Sequence, residues 1–419
     1  MTLIRTSLLN SIAVAVRVAS ALVLNKILAV YVGPAGYAVI GQFQNAVSII
    51  VSLAGGLLTT GVTKATAQHY DDDARQHAVW QTAIRFSMVA SLLAGLLLLL
   101  MGRWLSEWLL HRADMSGVFV WLACSLPAMA ANNLLLAIVN GKKEVGIYVL
   151  ANIIGSFVSL LVIGLAAYNF GLYGTLVAFT INPAIVLLTT TALVTRRPWL
   201  RMCFLWGKMD RSSVSELSGF ALMGITSAIA GPITYMLIRD HVTAQLGLPA
   251  AGYWQASWKI SETYLMLVTA TLSVYYLPRL AEIRTAHALK EEIVKLYRFV
   301  MPIVALGAIT ICMLRDFIIH FLFTPDFMPM RELFPWQLTG DVIKIGSWVL
   351  AYVMLGRAMV KFFIVTEIVF SISFVLLSWV LIDEFGLIGV PVGYAVNYGL
   401  YWICMAYLVV QEMRRMEAG

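Results

Sequence analysis

Charge is what this chain has least of. Asp, Glu, Lys and Arg make up 12% of its 419 residues, against about 25% in an ordinary soluble domain. No stretch is polar and long enough to fold as a separate soluble domain, which excludes an appended nucleotide-hydrolysing module. There is no phosphate-cradling Gly-rich loop followed by Lys-Ser/Thr, no His-rich metal constellation, and no Ser/His/Asp framework in an outer loop. These absences argue against direct use of ATP, a resident metal or cofactor, and hydrolytic chemistry, so the chain reads as no enzyme. The four cysteines, Cys124, Cys203, Cys312 and Cys404, lie far apart, with neither metal-ligand spacing nor a disulfide framework. A cleavable leader is also missing: the run from Met1 to Tyr31 continues through Arg17 and Lys26 without a cleavage site, and reads as a first span.

What is present is apolar. Hydrophobic residues account for 60% of the chain and the mean hydropathy is +0.84. A helix of about 20 apolar residues crosses a hydrocarbon core of roughly 30 Å. The sequence predicts about twelve such spans, among them 7–31, 38–64, 147–168, 173–194, 360–382 and 388–410.

The second half repeats the first. Trp121, Gly141, Gly171, Gly174 and Asn182 recur at an offset of 215 residues as Trp336, Gly356, Gly386, Gly389 and Asn397. Phe170-Gly-Leu-Tyr-Gly174 returns as Phe385-Gly-Leu-Ile-Gly389, and Gly36-Tyr37 returns one residue out of step as Gly252-Tyr253. This predicts an all-α integral membrane protein of two six-helix bundles, 1–195 and 217–419, joined by a cytoplasmic linker at 196–216. An even number of spans in each half makes the repeats parallel, the arrangement in which carriers build a substrate site near the bilayer midplane.

The formal net charge of +7 points to nucleic acid only if the charges sit together, and they do not. Most of the 29 Lys and Arg fall in alternate loops, such as Lys142-Lys143, Arg196-Arg197 and Arg414-Arg415; the opposite loops carry Arg103, Arg112, Arg239, Arg315 and Arg331. The positive-inside rule places the basic loops and both termini in the cytoplasm. The charged helical segment from Ala281 to Leu296 reads as a surface helix on anionic lipid. On the outer side, Trp104–Leu110 and its repeat-mate Phe317–Phe323 read as amphipathic segments in the interface.

Ionisable residues inside spans cost several kcal/mol unless they face a cavity or a partner. Arg17 lies about ten residues into its span, about 15 Å deep, where snorkelling does not easily rescue it; it reads first as facing a cavity, with a structural hydrogen bond between helices as the alternative. Lys26 is nearer the outer end and, nine residues on, falls on the opposite face of a straight helix. Lys259 with Glu262, and Asp341 with Lys344, are spaced i,i+3, which allows an ion pair within each helix. Against a purely structural pair, the repeat equivalents of Asp341 and Lys344 are Leu126 and Met129, so the fold has no need of charge there. Glu367 stands opposite Asn152 in the repeat. The cations suit an anionic substrate, and the carboxylates Asp341, Glu262 and Glu367 are candidates for ion coupling. The amides Gln42, Gln44, Asn45, Asn132, Asn133 and Gln255 are candidates for bonding sugar hydroxyls, or equally for bonding helix to helix, Gln42 and Asn45 being the leading sugar contacts. Tyr253, Trp254 and Trp258 read first as an interfacial aromatic belt, with sugar stacking as the alternative.

Lys26-Ile-Leu-Ala-Val, Val32-Gly-Pro-Ala-Gly36, Leu277-Pro-Arg-Leu280, Leu314-Arg-Asp-Phe317 and above all Leu333-Phe-Pro-Trp-Gln-Leu-Thr-Gly-Asp-Val-Ile-Lys-Ile-Gly346 resemble the Wzx-type flippases of the polysaccharide transporter family. That family belongs to the superfamily of the multidrug and toxic compound extruders. The resemblance spans essentially the whole chain. It implies a V-shaped, MATE-like pair of bundles in the bacterial inner membrane that moves an undecaprenyl-pyrophosphate-linked oligosaccharide, such as an O-antigen repeat unit, to the periplasmic leaflet. Alternating access would be linked to an ion gradient. Membrane lipids, a polysaccharide polymerase and a chain-length regulator are the implied partners, and nucleic acid is not. Carried onto this sequence, the resemblance falls on Arg17, Lys26, Asp341 and Lys344. The alternatives are a small-molecule or drug antiporter of the same superfamily and a membrane-embedded glycan polymerase or ligase. A major facilitator carrier would need the Gly- and Arg-rich signature that the loop from Lys64 to Arg85 lacks.

Overall fold

The structure, a computed structural model, describes residues 3–195, 197–200, 211–357 and 359–418. Helix dominates and no strand occurs among these residues. In chain order the helices are α1 Leu3–Val51, α2 Leu58–Gln68, α3 Asp73–Leu110, α4 Ser116–Gly141, α5 Val145–Val194, α6 Arg211–Leu246, α7 Leu248–Thr271, α8 Leu277–Glu282, α9 Ala286–Met313, α10 Arg315–Leu322, α11 Phe334–Gly356, α12 Val360–Phe385 and α13 Gly389–Ala418. Local chemistry sets several of the starts. The Asp72 carboxylate accepts from the Arg75 backbone N–H at 3.0 Å to cap α3, and Thr285 accepts from Ala288 N–H at 3.3 Å to cap α9.

Among the described residues, seven helical stretches are long and apolar enough to cross a membrane. Three of them, Ile12–Gln68, Val145–Val194 and Val360–Glu417, run to 57, 50 and 58 residues. A straight helix of 50 residues is about 75 Å long, far beyond a single crossing. Each is broken at a glycine of positive φ: Gly33 at 68°, Gly171 at 56° and Gly386 at 58°, a backbone region that L side chains rarely adopt. In α5 the chain turns back on itself there. Asn182 Nδ2 donates to Ser159 Oγ at 2.7 Å, and a Cβ on Gly155 would lie 3.3 Å from Val186; both contacts are centred on Gly171. In α12 and α13 the rings of Phe370 and Tyr401 meet at 4.9 Å, centred on Gly386.

The repeat read from the sequence is built into these elements. α4 ends at Gly141 and α11 at Gly356, while α5 starts at Val145 and α12 at Val360. The torsions at Gly171 (56°, −140°) and Gly386 (58°, −141°) agree within two degrees at the same 215-residue offset. Both helix ends are close crossings: a Cβ at Gly141 would lie 2.6 Å from Thr66 Cβ, and one at Gly356 would lie 2.7 Å from Leu280 Cβ. Each half also carries one π-helical turn, Ser52–Gly56 and Leu272–Tyr276.

The chain packs into two compact units, residues 1–32 with 39–232, and residues 33–38 with 233–419. The division falls at Pro232 inside α6. Of the linker expected at 196–216, residues 196 and 201–210, with Cys203, lie outside the described residues. Residues 197–200 fold back onto unit 1, where Trp199 meets Trp80 at 6.1 Å and donates to Glu144 Oε1 at 3.4 Å.

The two segments that the sequence reading expects at the interface differ between the halves. Trp104 and Trp108 stack at 5.3 Å on the last turns of α3, which runs unbroken to Leu110, whereas Phe317 and Phe321 stack at 5.8 Å on the separate helix α10. All four rings are exposed.

Candidate functional site

α11 opens with Pro335 in its first turn, where the missing N–H has no intrahelical partner to lose. Its residues Gln337, Asp341, Lys344 and Trp348 follow at spacings of four, three and four, which aligns them on one face. Asp341 is fully buried. Tyr264 on α7 donates its hydroxyl to Oδ2 at 3.1 Å, and Tyr394 on α13 donates to Oδ1 at 2.9 Å. The Ser261 hydroxyl also favours the charged form of this carboxylate. A buried carboxylate served by several hydroxyls is the arrangement low dielectric demands.

Lys344 is 6% exposed, rare for a residue type that burial penalises. Its ammonium lies over four ring faces: Trp348 at 4.8 Å, Trp258 at 5.0 Å, Tyr398 at 5.2 Å and Tyr394 at 5.5 Å from the centroids. No ion pair between Lys344 and Asp341 occurs among the described residues. The within-helix pair anticipated from their spacing is therefore replaced: hydroxyls hold the anion and ring faces hold the cation. Tyr394 serves both, its hydroxyl on Asp341 and its ring on Lys344. Asp341, Glu262 and Glu367 are the acidic groups whose fields reach the ammonium. The other anticipated pair does form, with Lys259 Nζ 2.7 Å from Glu262 Oε2 in a partly exposed position.

The ring cluster extends beyond these four residues. Tyr235 packs on Trp258 at 4.6 Å and Trp258 on Tyr394 at 5.2 Å, while Tyr394 meets Tyr398 at 4.9 Å. Trp254 is buried in the same cluster. Trp254 is thus an interior residue of unit 2 and Trp258 a half-buried one, and the belt reading gives way because Trp254 packs on rings and a buried guanidinium and Trp258 on rings and the Lys344 ammonium. That guanidinium is Arg239, taken from the sequence as an outer-loop residue. It is buried over Trp254 at 5.6 Å, with Nη2 donating to Gln255 Oε1. The one available signal was the apolar run Tyr235–Ile238 immediately before it in the helix.

Unit 1 is different. Arg17 is exposed at the surface of its unit, and Nη2 donates to Asn152 Oδ1 at 3.1 Å. Asn152 is the repeat counterpart of Glu367, so an amide in unit 1 stands where unit 2 has a carboxylate. Helix α1 is regular from Arg17 to Lys26, its first non-helical residue being Gly33. The two cations consequently remain on opposite faces, and the structure does not bring them together. Lys26 is half-buried and Gln42 buried. Asn45 is half-buried, and its Nδ2 has no hydrogen-bond partner among the described residues.

Paired apolar helices that reverse at single glycines, duplicated at a fixed offset and holding charges in their interior, define a multi-pass membrane transporter. By structure the chain aligns with an inward-facing MATE family transporter of the MOP superfamily at a TM-score of 0.80, over 97% of this chain and 99% of the other, with 14% identity. That likeness establishes the fold. Residues 27–332 match the family described as polysaccharide biosynthesis protein, and the chain belongs to that family. It is 31% identical over 417 residues, 99% of its own length and 100% of the relative's, to the lipid III flippase of Escherichia coli (strain K12), and equally to that of Shigella flexneri.

Proposed function

We propose that this protein is a flippase for a lipid-linked oligosaccharide of the lipid III type, an undecaprenyl-pyrophosphate-linked glycan carried from the cytoplasmic to the periplasmic leaflet. The observation that carries this reading is end-to-end identity with proteins named lipid III flippase, joined to the fold of a multi-pass transporter. On this reading the membrane is the bacterial inner membrane, the chain crosses it twelve times, the linker at 196–216 and both termini are cytoplasmic, and the relatives' role is transport rather than catalysis.

Arg17 is the head-group contact best supported by position: a deep, exposed guanidinium on unit 1 that presents donors to a pyrophosphate. Its bond to Asn152 orients it without neutralising it. Lys26, Gln42 and Asn45 from unit 1 and Lys259 from unit 2 are further candidate contacts. Lys344 contributes its charge from inside the ring cluster rather than at a surface. Asp341, Glu262 and Glu367 are the carboxylates for coupling to an ion gradient. A drug antiporter of the same fold is disfavoured, because a cationic drug would meet ring faces already taken by Lys344.

The test is leaflet-to-leaflet movement of a fluorescent undecaprenyl-pyrophosphate oligosaccharide in proteoliposomes, with and without an imposed proton gradient. Gradient-sensitive movement is the expected result. Absence of movement by folded protein, across several glycans, overturns the reading.

A further inference from the structure

A lysine ammonium ringed by two tryptophans and two tyrosines is the recognition geometry of an alkylammonium ligand, found here with a side chain of the same molecule inside it. The four centroids lie 4.8 to 5.5 Å from Nζ, within the roughly 6 Å over which a ring quadrupole attracts a cation. The box draws on three helices, Trp258 from α7, Trp348 from α11, and Tyr394 and Tyr398 from α13. It is therefore a tertiary arrangement and no accident of one helix's periodicity. Asp341, which does not pair with Lys344, is saturated by hydroxyls. At the repeat-equivalent place in unit 1 stands the buried Met129, and the counterparts of Trp348 and Tyr398 are Asn133 and Pro183, so the backbone plan closes without a cation or this set of rings.

We propose that Trp258, Trp348, Tyr394 and Tyr398 form a cation-binding box which the protein fills with its own Lys344, and which, once emptied, accepts a primary alkylammonium ion. The acidic residues around it, Asp341, Glu262 and Glu367, favour a cation electrostatically, and the ring faces select an organic, weakly hydrated ammonium over a hydrated metal ion. A tethered cation is not lost to either side of the membrane, so unit 2 keeps its internal positive charge through every conformational cycle.

The experiment uses full-length Lys344→Ala in lipid nanodiscs, titrated with n-propylammonium, which supplies the heavy atoms that the substitution removes. n-Propanol serves as the uncharged match and sodium chloride as the ionic-strength control. Calorimetric binding and the thermal unfolding midpoint are the readouts, and both concern binding alone, independent of whether the protein flips lipid. The expected result is saturable binding of n-propylammonium at least about tenfold tighter than n-propanol, an upward shift of the midpoint, no response in the wild type, and about tenfold loss of the response when Trp258→Ala is added. Equal binding of amine and alcohol, or no binding to folded protein, overturns the proposal, since the rings are then ordinary core. If Lys344→Ala does not fold, it is prepared with n-propylammonium present throughout. Recovery of folded protein with the amine but not with the alcohol supports the box, and failure with both overturns it. Lys344→Met keeps the bulk and removes the charge. It is expected to lower the midpoint, and wild-type stability in that variant also overturns the proposal.

Discussion

At position 344 a buried ammonium sits among four aromatic rings, whereas at position 129, one repeat earlier, stands a buried methionine. Asp341 corresponds to Leu126, Tyr394 to Phe179, Trp348 to Asn133 and Tyr398 to Pro183. Every substitution across this set removes a charge, a hydroxyl or a ring from unit 1, yet helix ends and the Gly171/Gly386 torsions coincide. The comparison separates two kinds of information that a single-copy protein confounds. What both units share serves the backbone. What only unit 2 carries is costly to bury, and the helices assemble without it.

That separation can be broken by exchanging residues between the halves. The largest effect is expected from Asp341→Leu, which installs the unit 1 residue but strands the hydroxyls of Tyr264 and Tyr394 and leaves Lys344 without its hydrogen-bonded acidic neighbour. Unfolding measured in nanodiscs should show a loss of about 3 kcal/mol. Adding Lys344→Met to it should recover part of that loss, about 1 kcal/mol or more, because the two charges share a partner in Tyr394; strict additivity would mean that they are independent. Gly340→Ala comes next at about 2 kcal/mol, because its Cβ would approach the Tyr394 ring and, at 3.3 Å, Ala395 Cα. The repeat counterpart already carries a side chain, Ser125, and Ser125→Ala should be close to neutral.

Transport distinguishes the units in the opposite sense. Arg17→Ala should slow flipping about tenfold, equivalent to about 1.4 kcal/mol, with little change in stability because the side chain is exposed. Arg17→Lys should fall between, keeping charge but losing the planar fork. Tyr394→Phe, the unit 1 residue, removes one bond to Asp341 while leaving the ring over Lys344, and should cost about 1 kcal/mol. The smallest effect belongs to the exposed pair outside the spans. Arg112 donates to both Asp114 oxygens, at 3.0 and 2.6 Å, which holds the Asp114 carboxyl below the usual carboxylate range. Its contribution is present above the ordinary carboxylate range and is lost as pH falls through the depressed value. Asp114→Asn should therefore lower stability slightly near neutrality, leave it unchanged below the depressed value, and so flatten the acid side of the profile.

The architecture was readable from the sequence to the residue in places. The 215-residue offset drawn from Gly141, Gly171 and their mates coincides with helix ends and turn torsions, because a glycine at a crossing or a reversal is demanded by sterics that the residue itself announces. The Lys259–Glu262 pair was equally legible, since i,i+3 partners on one helix need no knowledge of its neighbours. The interior of unit 2 was not. Asp341 and Lys344 share that same spacing, but hydroxyls and rings from α7 and α13 outcompete the local pair, and nothing in α11 alone reveals which helices pack against it. Arg239 was missed for the same reason, its partners Gln255 and Trp254 lying on the next helix. Trp254 and Trp258 were assigned to lipid by composition, whereas tertiary packing turned them inward.

The reversals at Gly171 and Gly386 bear on how the chain is made. Each is closed by contacts between the two arms of one hairpin, Ser159 with Asn182 in the first and Phe370 with Tyr401 in the second. Such contacts need no other part of the polypeptide. As synthesis proceeds from the N-terminus, each pair of arms has its backbone polar groups satisfied within its own helices and its turn set by one residue. The hairpin is thus a ready insertion unit that can leave the translocation machinery sideways as a pair, before the helices that will later surround it have left the ribosome.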